Sequence, residues 1–466
     1  MKEKKIFPVL FLLACSLTVV FLFRETLITN YFQDDWYSIS ISKINNIFDF
    51  VNIFIPNKQV VYYRPLGMQL PFFFNTFFFG LNPFPFRIMT FVVHTLNSIL
   101  VYYLFKRLLK SDTSSLLGGF LYSTSAVHYI PFFWSSTFAF ILGMTFSLLT
   151  VIFFIDFLNE KQFKKLFLSL SAFILGFLTF EVTVVLPLIL ALYLYFYKFF
   201  HNFRFLFPFF FLSVSYFLFR SIFFPPPNIP DYQLALGKET LQNLKYYFLW
   251  SFNWPEEIKN QFIKFWQVNP KFIAEFFFFY ISFLVTFLIN LMLFIFLPVI
   301  LIIRKKIRIN SNLVIFSCFW FLSGLAPVIF FPKHAFPYYL PLSLLGLLLA
   351  FIYLFSKTVA FFSRKFNFLK YIFQIVLMIS WLWSVLSLIE FNSLIHWAPR
   401  RGRLSANFIK TAKYKLGSPF QSFYFIVNPY PENRLALNDQ DAFRLVFNKE
   451  KLKTLYTNQN VAGYRL

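Results

Sequence analysis

The chain carries 19 acidic residues in 466, so adjacent acids are scarce, and the pair Asp34-Asp35 is the first place where carboxylate chemistry is possible. A positioned carboxylate takes the proton of a hydroxyl as its oxygen attacks an electrophile, the work of a general base. A second acid beside it would hold that hydroxyl, raise its neighbour's pKa, or bind a divalent ion such as Mg or Mn. The plainer roles for the pair are a solvated loop or a cap on a helix starting near Trp36. Arg64, in Tyr62-Tyr63-Arg64-Pro65-Leu66, is an interfacial anchor, a partner for the aspartates or a bidentate clamp on phosphate. Lys333-His334, beside Tyr338-Tyr339, are surface loop residues or the cations that hold a lipid-linked phosphate and stabilise a leaving group. Glu181, in Thr179-Phe180-Glu181-Val182-Thr183, falls at a membrane edge where an unpaired acid is costly; it is expected to pair with a base or polar group of the site. His128 ends an apolar run on the same side and is a further candidate, whereas His94 lies alone inside a run and reads as a packing residue.

What must position these residues is a membrane-embedded helical frame. The sequence is 58% hydrophobic and 13% charged, with 78 Phe; ordinary soluble domains carry about 25% charge. Apolar runs of about 20 residues, enough to span a bilayer, recur near 6–24, 86–106, 114–130, 137–157, 163–179, 182–200, 203–223, 273–303, 311–331, 336–356 and 368–390, eleven in all. With the N-terminus cytoplasmic, every inner loop is basic, from Lys106-Arg107 to Arg364-Lys365, as cytoplasmic loops are. The formal charge of +24 is therefore a topology signal, and no nucleic acid is expected as a partner. The same arrangement puts Asp34-Asp35, Glu181, a long 224–272 loop, Lys333-His334 and the C-terminal tail on one outer face.

Within the first outer loop, residues 31–85, Ile44, Ile47, Phe48, Val51, Phe54 and Ile55 recur at helical spacing opposite Lys43, Asn46 and Asn52, the pattern of a helix lying in the lipid interface. Leu66 to Phe79, interrupted by Pro71 and Asn75, is too short to span and is expected to re-enter or lie flat. Phe224-Pro225-Pro226-Pro227 reads as a stiff exit, followed by a second surface helix through Leu241, Leu244, Tyr247 and Phe248. After residue 390 the chain turns polar; Phe420–Val427 reads as a strand and Asp441–Phe447 as a helix begun by an aspartate cap. Cys15 and Cys318 both fall in apolar runs, which leaves no disulfide framework, and no internal repeat or Gly-rich phosphate loop is present. Cys15 follows Leu12-Leu13-Ala14 much as in a lipoprotein, but the apolar run continues to Phe23, so the first segment reads as an uncleaved anchor.

The order of Asp34-Asp35, Tyr63-Arg64-Pro65-Leu66, Gly80-Leu81-Asn82-Pro83 and His94 resembles the membrane domain of integral-membrane glycosyltransferases with the GT-C fold. The group it is most similar to is the protein O-mannosyltransferase-like one. Ala126-Val127-His128 with Trp134-Ser135, and Phe180-Glu181 with Leu186-Pro187-Leu188, extend the resemblance over roughly residues 25–190. Departures stand at Ile130, where that group has an acid, near Thr137, where it has an arginine, and at Phe180, where it has a lysine. The resemblance implies inverting transfer of a sugar from a polyprenyl-phosphate donor to an acceptor hydroxyl outside the membrane, with a first-loop aspartate as base.

The expectation is thus an all-α polytopic membrane protein of eleven spans, with a GT-C-like catalytic domain over 1–390 and a small extracytoplasmic α/β appendage over 391–466. Asp34 and Asp35 would be catalytic, Arg64, Lys333 and His334 would bind the donor phosphate, and Glu181, His128, Tyr63, Tyr338 and His94 would support them. Partners would be the lipid-linked donor, membrane lipid and an acceptor glycan, lipid or protein. No cofactor is called for, and a divalent ion, Mg or Mn, at Asp34-Asp35 stays open. The absence of any Asn-x-Ser/Thr site favours a prokaryotic plasma membrane over an endoplasmic reticulum. A transporter or flippase of lipid-linked sugars is the rival reading, though such proteins show repeats and midplane sites; a non-catalytic scaffold is the other.

Overall fold

The computed structural model describes residues 3–57, 60, 62–225, 230–415, 424–459 and 464–465. Among the described residues six helices are long and apolar enough to cross a membrane: Phe84–Leu109, Ser135–Glu160, Phe200–Phe223, Phe277–Ile303, Pro341–Ser363 and Leu369–Ile395. Leu10–Leu22, Glu181–Phe196 and Ser311–Leu325 are shorter apolar helices. Helices occupy each of the eleven expected segments, but length separates them. Asp112–Thr124 has 13 residues and Phe163–Phe177 has 15; at 1.5 Å per residue they reach about 20–23 Å, short of a hydrocarbon layer of about 30 Å. Six is the number of spans that length and composition support, and the molecule is a helical membrane protein.

Local sequence explains where the helices start and stop. Proline at the first positions opens Leu186–Phe196, Phe207–Phe223 and Pro341–Ser363, where a missing N–H costs nothing. Lys110 and Lys161 close Phe84–Leu109 and Phe138–Glu160 in the left-handed conformation, at φ 53° and 58°. The central helices are Ser135–Glu160 and Pro341–Ser363; Phe200–Phe223 is peripheral and turns Phe207, Phe211, Val214 and Phe217 outward. Such a continuous apolar exterior is what lipid, rather than water, tolerates. At the ends with basic loops, Arg107 grips Asp156 through two hydrogen bonds of 2.6 and 2.8 Å, tying Phe84–Leu109 to the central helix Ser135–Glu160.

The first-loop elements are short. The interfacial helix is Ile47–Asn52, with Ile47, Phe48 and Val51 exposed as one apolar face. The re-entrant stretch is a π-turn, Pro65–Gln69, running into Leu70–Phe79, whose Phe74, Phe77 and Phe78 face outward while Phe72 and Asn75 are buried. The second surface helix is Lys238–Trp250, which buries Tyr247 and exposes Leu241. The proline exit is described only as far as Pro225; Pro226 and Pro227 lie outside the described residues.

The C-terminal part opens with the helix Trp397–Lys415 and continues as a parallel three-stranded sheet in the order β2-β1-β3, with β1 Tyr424–Val427, β2 Lys453–Tyr456 and β3 Tyr464–Arg465. Residues 420–423 of the expected strand lie outside the described residues. The expected helix Asp441–Phe447 is present, but Asp441 does not cap it: its carboxylate accepts from Asn438 Nδ2 at 2.9 Å, and the N-cap is Gln440. Phe425, Val427, Leu437 and Phe443 share one apolar core with Tyr31, Trp36 and Ile39 of the first loop. The appendage is therefore docked on the helix that carries the aspartates.

Candidate active site

The two leading aspartates, neighbours in sequence, are split by the helix Asp34–Ser40 into different environments. Asp35 is fully buried. Its Oδ1 accepts from the backbone N–H and hydroxyl of Ser136 at 2.7 and 2.9 Å, and its Oδ2 lies 3.4 Å from Phe32 N and 4.0 Å from the buried Arg87. Ser136 holds one oxygen of this carboxylate through two hydrogen bonds, so Asp35 is a clamp between the first loop and the Ser135–Thr137 turn, while burial raises its pKa to about 6. Asp35, expected as a catalytic carboxylate, is here held by the Ser136 turn. Among the described residues no cluster of three His, Cys, Asp or Glu could hold a metal ion.

Asp34 is half-buried, one position before Asp35. Burial pushes its pKa up to about 6, against the pull of the Arg401 and Arg64 guanidinium groups. A carboxylate with that pKa is ionised at neutral pH and more basic than an ordinary one, which suits proton abstraction. Its approach is held by Gln33, which sits at φ 53°, ψ −132°, a conformation that costs a non-glycine residue about 1–3 kcal/mol. The strain is held from the C-terminal part: Gln33 N–H donates to Ala436 O at 3.3 Å and its Oε1 accepts from Arg401 Nη1 at 2.6 Å. Arg401 is itself fixed by two bonds to Glu432, of 2.7 and 3.2 Å, and by the face of Trp397 at 4.8 Å.

Arg64 and Glu181, 117 residues apart, form a bidentate pair at 2.8 and 2.7 Å. Arg220 joins them with Nη1 3.3 Å from Glu181 Oε1, so two guanidinium groups share one carboxylate and leave one positive charge unbalanced. The Arg64 guanidinium lies over Tyr62, Phe180 and Phe140 at 4.6, 5.0 and 5.4 Å. Gly67 explains how this pair is brought together. A Cβ there would meet Thr179 O at 2.3 Å and Ala139 Cβ at 2.7 Å, and Leu66 N–H bonds Leu178 O at 2.9 Å. Only glycine lets the π-turn pack so closely on the strand of chain that delivers Glu181.

A chain of ring groups runs onward from Arg64. Tyr62 and Tyr232 share a hydroxyl hydrogen bond of 2.9 Å, the Tyr232 ring stacks 4.5 Å from His334, and His334 Nε2 bonds Tyr339 Oη at 2.8 Å. His334 thus joins the Arg64 cluster through aromatic hydroxyls, while Lys333 is exposed. The other expected residues are structural. Tyr63 donates to Phe54 O at 2.9 Å and packs on Phe219 and Phe224. Tyr338 is buried between Phe140, Trp134 and Phe336. His128 is buried edge-on to His94 at 4.3 Å, with Tyr122 at 4.8 Å.

Sequence reasoning missed Arg87, Arg220, Tyr232 and Arg401. Arg87 and Arg220 lie within apolar helices, where a buried arginine signals a fixed anion; that rule was available and points to Asp35 and Glu181. Nothing in the linear order links Arg401 to position 34. Comparison with known proteins finds no family model that matches the chain and no curated protein that is significantly similar to it.

Proposed function

We propose that the chain is a membrane glycosyltransferase of the GT-C kind, with a cytoplasmic N-terminus, using a polyprenyl-phosphate sugar as donor and an acceptor hydroxyl on the outer face. The observation that carries this reading is the placement of Asp34 beside a cluster with surplus positive charge: burial raises the pKa of Asp34 and Asp35 alike to about 6, and Asp34 is the one that Ser136 does not tie down. Asp34 takes the acceptor proton, the acceptor oxygen attacks the anomeric carbon, and the carbon–oxygen bond to phosphate breaks from the opposite side with inversion. The electron pair leaves on the phosphate, whose charge Arg64, Arg220 and His334 would offset. Asp35 holds the helix of the base, and Glu181 holds Arg64 and Arg220 on one carboxylate. Orientation of both reactants at the lipid edge supplies much of the rate.

The test is release of polyprenyl phosphate by the protein in lipid nanodiscs from a panel of undecaprenyl- and dolichyl-phosphate monosaccharides. Wild type is expected to consume at least one donor, and Asp34→Asn none. Undiminished consumption by Asp34→Asn ends the base assignment. Movement of the donor between leaflets without its cleavage favours the flippase reading instead.

A further inference from the structure

Where the long outer loop meets the end of the last membrane-crossing helix, polar side chains are buried around one small cavity. Trp254 and Glu256 come from the loop, and Asn392 and His396 from the end of Leu369–Ile395. None of the four is more than 6% exposed. Yet among the described residues Trp254 Nε1, Glu256 Oε2, Asn392 Oδ1 and His396 Nε2 all lack a hydrogen-bond partner. Buried polar atoms are nearly always paired, so four orphans lining one cavity point to a ligand. Tyr129 completes the wall; its hydroxyl, also unpartnered, can donate or accept and so sets no constraint.

The role of each orphan follows from its neighbours. His396 Nδ1 accepts the Ala398 N–H at 3.1 Å, so the neutral ring carries its proton on Nε2. That N–H and the Trp254 indole N–H are donors. Lys259 Nζ donates to Glu256 Oε1 at 3.3 Å, which leaves Oε2 as an acceptor, 3.6 Å from His396 Nε2 and too far for a direct bond. Asn392 Oδ1 is the second acceptor. Two donors and two acceptors thus surround a cavity of about 10 Å³, the room one water takes. We infer that this is the binding site of a single internal water, which accepts from Trp254 and His396 and donates to Glu256 and Asn392. A cation would face two N–H groups, an anion would face the Glu256 carboxylate, and an apolar group would leave all four atoms unpaired. The bound water is a joint between distant segments. Lys259 also donates to Ala335 O at 3.0 Å and lies over Phe336 at 4.2 Å, which ties the joint to the segment carrying His334. His396, through Ala398, ties it to the first turn of Trp397–Lys415, the helix that carries Arg401.

The inference uses no part of the glycosyltransferase reading and stands or falls apart from it. In the full-length protein in nanodiscs, NMR magnetisation transfer from water to the Trp254 indole proton is expected, the signal being assigned by its loss in Trp254→Phe. A cryo-EM map fine enough to show ordered water is expected to place one compact peak within hydrogen-bond reach of all four atoms. Asn392→Leu, close in volume, gives the energetic test. In a dry cavity Asn392 Oδ1 is a liability and its removal stabilises the fold. With the water bound, the same change removes one of its four bonds, and the ratio of folded to unfolded protein at equal denaturant is expected to fall about tenfold. No magnetisation transfer to that indole, no peak or an elongated one in the map, or a variant more stable than wild type would each overturn the inference. Should Asn392→Leu fail to fold, the two measurements on the wild-type protein decide.

Discussion

Glu181 is the single anion between two arginines, and the consequences of removing either partner are unequal. In Arg64→Met the aliphatic stem and its packing on Tyr62 and Phe180 are largely kept, and Glu181 retains Arg220 at 3.3 Å. Two charge-assisted bonds are lost, of 2.8 and 2.7 Å, but no charge is orphaned; the expected loss of stability is about 1–2 kcal/mol. In Glu181→Gln both guanidinium groups remain, with Arg64 at 8% side-chain exposure, facing each other across a neutral amide. Breaking a buried pair in this way costs about 3–5 kcal/mol. The gap of about 2 kcal/mol is roughly thirtyfold in the folded fraction at equal denaturant, since 1.4 kcal/mol is tenfold. The double variant leaves Arg220 as the lone charge and is expected to lose less than the sum of the two singles by about 1–3 kcal/mol. Equilibrium unfolding in mixed detergent micelles, followed by tryptophan fluorescence, measures all three. Equal losses in the two single variants, or strict additivity in the double, would refute the shared-carboxylate account.

Asp34 gives a prediction in pH. Its folded pKa of about 6 lies above the ordinary carboxylate value of 3.8, so the folded state holds the proton more tightly, and this residue's contribution to stability declines as pH rises through that window. Transfer needs the ionised form and is expected to rise across the same window; an acid limb near pH 4 would contradict the burial of Asp34. Asp35→Ala is expected to lose about 3–5 kcal/mol, because it strands the Arg87 charge and the Ser136 donors, whereas Asp34→Ala leaves thermal stability unchanged or raised. Similar melting temperatures for the two would remove the distinction between clamp and base. Arg401→Met takes a cation from Asp34, so the acid limb of transfer is expected to move to higher pH; an unmoved limb separates Arg401 from the base. Gln33→Gly relieves the positive φ but loses the Arg401 bond, and is expected to leave stability nearly unchanged while lowering kcat, unless the held geometry of Asp34 is irrelevant to turnover.

The apolar runs were legible because a bilayer imposes length and composition on each segment separately, with no reference to its neighbours. The same local character made 114–130 and 163–179 read as spans, although the helices there are short and Asp112–Thr124 leans on Phe84–Leu109 for cover. Arg64 and Glu181 were recognisable as costly at a membrane edge, and the expectation that Glu181 pairs with a base is met by Arg64 and Arg220. What could not be read was which carboxylate of Asp34-Asp35 faces inward. That is decided by helical rotation of about 100° per residue and by Ser136, a partner 101 positions away. His128 misled for a related reason: the outer end of an apolar run looks accessible until a neighbouring helix places His94 over it.

Arg401 lies beyond the last membrane-crossing helix, Leu369–Ile395, yet it is the cation that holds Gln33 and acts on Asp34. Because ribosomes deliver a polypeptide in order, the first loop is made long before its latch exists. The turn at Gln33 therefore stays without its latch until residue 401 has been made and the C-terminal helix has docked.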